Sequence, residues 1–287
     1  MKIIATIALF LTALIWGVSY SAQAAANEFL QPLVFVCLRY LIGTLLVLIP
    51  AFAIHRKLPD RRLVTGGIAC GICLAGGEIL QQFGLLYTSA GKTGFLTALY
   101  VVMIPVIAFA RERKFQWRIW SAAALSVIGS YLLCAADMNG KLNIGDILVL
   151  LCAVCFAFQF IAIAEFAPKA EPLMLSGIQF FTVAVISGIT ALIAGETWHW
   201  QNITAGYIPL LYCGVIAIGI ACTVQIAAQK FVAPATSSII LSTASVFAIL
   251  GGWLWHGETY SLRDLSGCAI ILLAVILVQL PHSKAEK

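Results

Sequence analysis

The chain has 287 residues, of which 62% are hydrophobic and 10% are charged, and its formal net charge is +5. Soluble domains carry about 25% charged residues, and a chain of this size cannot keep so much apolar surface away from water. The composition therefore excludes an ordinary soluble protein and indicates lipid as the main solvent. The basic residues fall in short clusters between apolar runs, which is typical of membrane anchoring and does not indicate a nucleic-acid partner.

Ten apolar runs are long enough to cross about 30 Å of hydrocarbon. Because they are continuous rather than alternating, they predict helices and not a β-barrel. The fourth run is short. The runs lie at roughly 3–22, 32–54, 64–87, 93–110, 117–135, 144–164, 172–194, 206–228, 235–255 and 262–280.

The basic residues also predict the orientation of these runs. With the N-terminus in the cytoplasm, thirteen Lys and Arg residues lie in cytoplasmic segments, and Lys92, Lys141 and Arg263 lie on the opposite side. This bias follows the positive-inside rule. It places both termini in the cytoplasm, which requires an even number of spans and agrees with ten.

The two halves of the chain resemble each other. Residues 81–105 are echoed by residues 224–247, and this alignment matches Gln82 with Gln225. Five spans in each half make the second half enter the membrane from the opposite side, as in transporters with inverted repeats. The sequence predicts an all-α membrane protein whose ten transmembrane helices form two inverted five-helix repeats, with both termini cytoplasmic. The repeats are residues 1–136 and 145–281, and residues 282–287 form a cytoplasmic tail.

Several short motifs occur along the chain in a characteristic order. They are Trp16-Gly17, Pro32 with Arg39, the YTSAG segment that ends at Gly91, Pro105, and Gly257-Glu258. Together they resemble the drug/metabolite transporter superfamily, specifically its ten-helix proteins with two EamA-type repeats. The second half departs from that pattern, because Ser245 stands where the family has Pro. The resemblance implies a secondary transporter of the cytoplasmic (inner) membrane, often an exporter of amino acids or other small metabolites.

Two ionisable residues lie well inside the predicted spans. At 1.5 Å per residue, Arg39 is about 10 Å and Glu78 about 15 Å from the outer ends of their runs, so an ion pair is geometrically feasible. One interpretation is a structural pair that locks helices two and three. The other is that Glu78 carries protons or contacts a cationic group of the solute. The sequence places no aspartate inside a span.

Amide and aromatic side chains within the runs are further candidates for lining a solute path. A buried amide needs partners for its donor and its acceptor, which interhelical contacts or a solute can supply. Packing between helices is the alternative for the aromatic rings. Besides Glu78, the cavity candidates are Trp16, Tyr20, Gln82, Tyr100, Phe156, Gln159, Gln179, Gln225 and Trp253.

Three residues are candidates for a gate or hinge. Pro105 removes a helix hydrogen bond and predicts a kink in the fourth helix. Gly76 and Gly77 stand beside Glu78, where they allow close helix approach or a bend. A hinge and a simple packing bend remain open at each place.

No catalytic constellation is visible, because the four histidines lie in loops or tails and paired intramembrane carboxylates are lacking. The sequence therefore predicts no enzyme, no metal and no cofactor. It predicts an exporter that moves a small neutral or zwitterionic metabolite, such as an amino acid, by alternating access. A non-transporting membrane scaffold or sensor, or a membrane-embedded enzyme, are the alternatives. The expected partners are the solute, the lipid bilayer and a coupling ion such as a proton, and the oligomeric state stays open.

Overall fold

A computed structural model describes residues 1–56, 58–113, 115–134, 143–247 and 261–279. Over these residues the fold is entirely helical, with no strand. The helices are α1 Lys2–Ala26, α2 Pro32–His55, α3 Arg61–Gly84, α4 Ala90–Ala98, α5 Tyr100–Glu112, α6 Trp117–Cys134, α7 Ile144–Phe166, α8 Pro172–Ala194, α9 Trp200–Ala205, α10 Tyr207–Leu211, α11 Thr223–Ala228, α12 Pro234–Leu241 and α13 Leu262–Gln279. A 3-10 turn, Ala167–Lys169, follows α7, and a π-helix, Tyr212–Cys222, joins α10 to α11.

Within the described residues, eight helical stretches are long and apolar enough to cross a membrane. They are α1, Pro32–Ile54 in α2, α3, Ala90–Arg111, Ile144–Lys169, α8, Tyr207–Ala228 and α13. The remaining two predicted runs correspond to α6, which is described as far as Cys134, and to a shorter apolar helix, Pro234–Phe247. The chain is therefore a multi-pass helical membrane protein.

The fourth span is longer than the sequence predicted. It begins at Ala90 instead of residue 93, because the Ser89 side chain accepts a hydrogen bond from the Lys92 backbone N–H and caps the helix. The break in this span lies at Leu99, between α4 and α5. Pro105 is buried inside α5, six residues beyond that break.

Helices of the first half pack mainly on helices of the second half. α2 packs along α8, α3 along α7 and α8, and α6 along α13. Glycines permit the closest of these approaches. A Cβ on Gly129 would lie 2.8 Å from the Gly267 carbonyl oxygen, and a Cβ on Gly267 would lie 2.7 Å from the Gly129 carbonyl oxygen.

α1 runs antiparallel to the stretch Tyr207–Ala228, and side chain to backbone hydrogen bonds fix its position there. Trp16 donates to the carbonyl of Ala217, whereas Thr12, one turn earlier in α1, donates to Ala221, which lies later in the π-helix. The bonds are Tyr212 OH to Ile15 O at 2.8 Å, Trp16 Nε1 to Ala217 O at 3.2 Å, and Thr12 Oγ1 to Ala221 O at 3.3 Å. α1 is thereby held at the centre of the helix assembly.

Candidate functional site

A central cavity lies between helices of both halves of the chain. Its wall is formed by α1, α2, α3, the α4–α5 span, α7, the Tyr207–Ala228 stretch and the segment from α12 to Ser245. Both halves of the chain contribute to its wall. Aromatic rings, amides and hydroxyls supply most of the large lining side chains. This combination of apolar and polar groups is typical of small-molecule binding cavities.

Most of the predicted cavity residues that the structure describes lie in this wall. Tyr100 and Phe160 stack there, with ring centroids 5.1 Å apart and an interplanar angle of 25°. Trp16 contributes its ring while its Nε1 is held by the π-helix. The predicted residues that line the cavity are Trp16, Tyr20, Arg39, Glu78, Tyr100, Phe156, Gln159 and Gln225.

Two predicted amides lie behind the wall instead. Gln82 is buried, and its Nε2 donates to Gln23 O at 3.2 Å and to Asn27 Oδ1 at 2.7 Å, which joins α3 to the end of α1. Gln179 is also buried, and its Oε1 accepts a hydrogen bond from Gln159 Nε2 at 3.4 Å. Both amides form hydrogen bonds to other helices, and neither lines the cavity. Trp253 and the Gly257-Glu258 motif lie outside the described residues.

The hinge candidates also lie away from the cavity wall. A Cβ on Gly76 would lie 3.2 Å from Cys155 Sγ, and α3 remains an α-helix through Gly76 and Gly77. Phe156 of α7 packs over Gly77. These contacts account for both glycines by close helix packing.

Arg39 of α2 and Glu78 of α3 form an ion pair at the cavity wall. The Arg39 side chain is 3% exposed and the Glu78 side chain 14%, so the carboxylate is the more open partner. The guanidinium carbon also lies 4.9 Å from the centroid of the Phe35 ring. A buried charge is tolerated only when it is paired, and here the two opposite charges cancel.

A second buried ion pair was missed by the sequence reasoning. Lys92 Nζ lies 2.6 Å from Asp146 Oδ2, and both residues are buried. Thr88 Oγ1 donates to Asp146 Oδ1 at 3.1 Å, and Asn143 N donates to Asp146 Oδ2 at 2.9 Å. The expectation that no aspartate lies inside a span was wrong, because Asp146 is buried within the span Ile144–Lys169. Lys92 and Asp146 each belong to the first turn of an apolar helix, and the spacing of Asn143 and Asp146 as a capping box was the available signal.

Other polar lining residues were also absent from the predicted set. Ser19 and Gln23 lie on the α1 face that carries Trp16 and Tyr20, so helical spacing would have found them. Gln81 lines the cavity while its Nε2 donates to Thr97 Oγ1 at 3.0 Å. Ser242 and Ser245 follow α12, and only the fold brings them to the wall.

The model of the EamA-like transporter family matches residues 3–135 and 143–280. The chain belongs to the EamA-like transporter family. Its EamA-type resemblance is thereby confirmed, and the protein is a membrane transporter that fits the drug/metabolite transporter superfamily.

Individual relatives of this EamA-like transporter match over most of their length. An uncharacterized transporter of Archaeoglobus fulgidus is 31% identical over 280 residues, which cover 97% of this chain and 87% of the relative. An inner membrane transporter of Escherichia coli, YedA, is 24% identical over 281 residues, which cover 95% and 90%. A solved crystal structure has the same fold, with a TM-score of 0.81 at 18% identity over 98% of both chains.

Proposed function

We propose that this EamA-like transporter is a secondary exporter that moves a small neutral or zwitterionic metabolite, such as an amino acid, across the cytoplasmic membrane. The observation that carries the proposal is the central cavity, whose wall combines aromatic rings, amides and one internally neutralised ion pair. A wall that mixes apolar rings with a few polar groups is typical of sites for small organic molecules.

The charges at the wall favour a solute without a large net charge. Among the described lining residues, Arg39 and Glu78 are the ionised side chains, and they cancel. A polyanion or polycation would enter with charges that the wall cannot balance, which costs several kcal/mol per ion. A zwitterion brings one charge of each sign and can exchange partners with the pair.

Alternating access by two inverted repeats, residues 1–136 and 145–281, is supported by the pattern of helix packing. α2 and α8 pack together, as do α6 and α13, and in each case they hold corresponding positions in the two halves. α3 packs on α7 while α1 packs on Tyr207–Ala228, which is the same contact with the halves exchanged. Such a pattern is expected for repeats related by a two-fold axis in the membrane plane.

Contacts between the halves differ at the two ends of the assembly. At the end where α3 meets α4, the Lys92–Asp146 pair is buried, and Glu196 accepts hydrogen bonds from the Leu33 and Val34 N–H groups at 3.2 and 2.9 Å. At the opposite end, Arg111 and Glu165 form an ion pair in which both side chains are exposed. We infer that the first end, which the positive-inside rule assigns to the outside, is the one held closed here.

Counterflow in proteoliposomes tests the transport function. Liposomes with the purified chain are loaded with single amino acids, amines, nucleosides or sugars, and the exchange of labelled solute is measured with and without a pH gradient. We expect exchange of at least one neutral or zwitterionic solute. A preference for polyanions, or no exchange across the panel, would contradict the proposal.

Gly94 offers a matched pair of variants for the same assay. It lines the cavity, and a Cβ there would meet the Tyr20 ring at an ordinary 3.6 Å. Gly94→Ala is expected to keep exchange, whereas Gly94→Phe fills the cavity and is expected to abolish it. Equal exchange by both variants would show that the solute does not use this cavity.

Reporters fused to each terminus test the proposed topology. We expect both the N-terminus and the tail at residues 282–287 to report from the cytoplasm. Reporters on opposite sides of the membrane would refute the ten-span arrangement.

A further inference from the structure

Gln225 and Gln82 hold matched positions in the two halves, but their amide nitrogens are in opposite states. Gln82 Nε2 donates two hydrogen bonds and lies behind the cavity wall, although its Oε1 has no partner. Gln225 lines the cavity and is 1% exposed, yet its Nε2 has no hydrogen-bond partner within the described part of the chain. The two halves therefore allow a direct comparison between an amide nitrogen that is hydrogen-bonded within the protein and one that is not.

A buried amide nitrogen without a hydrogen-bond partner lowers the stability of the folded protein when no solute is bound. Leaving a buried donor unpaired forfeits its hydration, and an apolar side chain of similar size avoids that cost. Packing therefore does not explain a glutamine at residue 225. A group that occupies the cavity would supply the missing partner.

Gln225 lies at a different depth along α1 from the Arg39–Glu78 pair. Because α1 is antiparallel to Tyr207–Ala228, the bond from Thr12 to Ala221 places Gln225 one further turn away, level with Ala8. Glu78 lies one turn before Gln82, which is bonded to the far end of α1. Gln225 and the ion pair therefore lie at different depths along α1, and Gln225 is one turn beyond Cys222, whose side chain still interacts with the charges of Glu78 and Arg39.

The backbone before Gln225 also differs from that before Gln82. The π-helix Tyr212–Cys222 ends three residues before it, whereas the corresponding part of the first half, within α3, is an ordinary α-helix. A π-helix shifts the register of the residues after it and is frequent at functional sites. Side chains of α1 hold this segment in place, so the direction of Gln225 is set by the fold.

We propose that Gln225 forms a second solute-contacting subsite, which selects an uncharged hydrogen-bonding group such as a hydroxyl or a carboxamide. This inference rests on the proposed transport function. Its neighbours in the wall include Cys222, Leu241 and Ser242, which carry no charge, and Ser242 Oγ already donates to Ile239 O at 2.7 Å. The subsite thus offers an amide that can donate and accept.

Two measurements test the subsite. The first compares thermal unfolding of purified Gln225→Leu and Gln82→Leu. We expect Gln82→Leu to lower Tm by about 2–4 °C through the loss of its hydrogen bonds, and Gln225→Leu to leave Tm unchanged or raise it. Gln225→Leu that melts as low as Gln82→Leu, or fails to fold, would overturn the proposal, because its amide would then be bound within the protein.

The second measurement is counterflow with zwitterionic isosteric pairs that differ by a hydroxyl against a methyl group, namely threonine with valine and serine with 2-aminobutyrate. We expect the unmodified chain to prefer the hydroxyl member about tenfold, the size of one hydrogen bond, and Gln225→Leu to reduce that ratio towards one. Gln82→Leu serves as the control that retains the preference. Equal exchange of both members by the unmodified chain, or an unchanged ratio in Gln225→Leu, would overturn the subsite alone. No exchange of any solute would instead refute the transport function, and the melting comparison would still decide the state of the Gln225 amide.

Discussion

Neutralising Glu78 distinguishes a structural ion pair from a coupling site. In Glu78→Gln, the Arg39 guanidinium, which is 3% exposed, loses its charged partner and keeps at most a neutral hydrogen bond. Breaking a buried pair by removing one partner typically costs about 3–5 kcal/mol, because the remaining charge stays buried. Since 1 kcal/mol lowers Tm by about 2–4 °C in proteins of 150–250 residues, we expect a fall of roughly 10 °C.

Replacing both partners separates the stability of the pair from its function. Arg39→Leu with Glu78→Leu leaves no uncompensated charge, so Tm is expected to return to near the unmodified value or above it. If the pair only locks α2 to α3, solute exchange returns as well. If Glu78 carries a proton or contacts the solute, exchange stays slow and independent of pH in the stable double variant.

The assay is counterflow in proteoliposomes over a range of pH, with Tm measured on the same preparations. We expect exchange by Glu78→Gln to be slower and independent of pH. Exchange that keeps both its rate and its pH dependence would refute a coupling role for Glu78. A Tm within about 2 °C of the unmodified chain would refute the reasoning on burial.

Three further substitutions follow from the packing. Asp146→Asn leaves buried Lys92 without its charged partner and is expected to lower Tm by roughly 10 °C. If Tm fell less than it does when the exposed Arg111–Glu165 pair is broken, the Lys92–Asp146 pair would not be buried. Gly77→Ala places a Cβ against the Phe156 ring and is expected to cost about 1–3 kcal/mol by thermal unfolding, with recovery on adding Phe156→Leu; a hinge role would instead show as slower exchange at unchanged Tm. Trp16→Phe removes one hydrogen bond to the π-helix and is expected to cost about 1 kcal/mol by thermal unfolding, so an unchanged Tm would indicate that this bond does not hold α1.

The sequence predicted the helices and one ion pair for simple physical reasons. Hydrocarbon thickness sets a minimum length for an apolar run, so each predicted run contains a described helix. Arg39 and Glu78 could be paired because a fixed rise per residue converts their positions into similar depths. The depth of a residue along the membrane normal can therefore be estimated from its position in an apolar run.

The rotation of each helix about its own axis, which decides what its side chains contact, was less predictable. Gln82 and Gln225 read as equivalent in sequence, yet Gln225 lines the cavity and Gln82 does not. The Lys92–Asp146 pair was missed because the fourth run was started at residue 93, which left Lys92 outside it, and because Asp146 at the start of the run 144–164 was not counted as a span residue. Rotation of a helix and the position of its first turn depend on caps and backbone register, which an apolar run does not specify.

The two halves differ in backbone at matched positions, because Tyr212–Cys222 is a π-helix and the corresponding part of α3 is an α-helix. If both halves formed identical ends of the path, a solute would meet the same groups on entering and on leaving. Here the Arg39–Glu78 pair and the uncharged Gln225 amide line the same cavity at different depths along α1. A solute that crosses must therefore exchange an electrostatic environment for a hydrogen-bonding one. In the proposed alternating-access cycle, that difference would give the inward- and outward-facing states unequal affinities for the same solute, and a ligand shifts an equilibrium between two states only through such a difference.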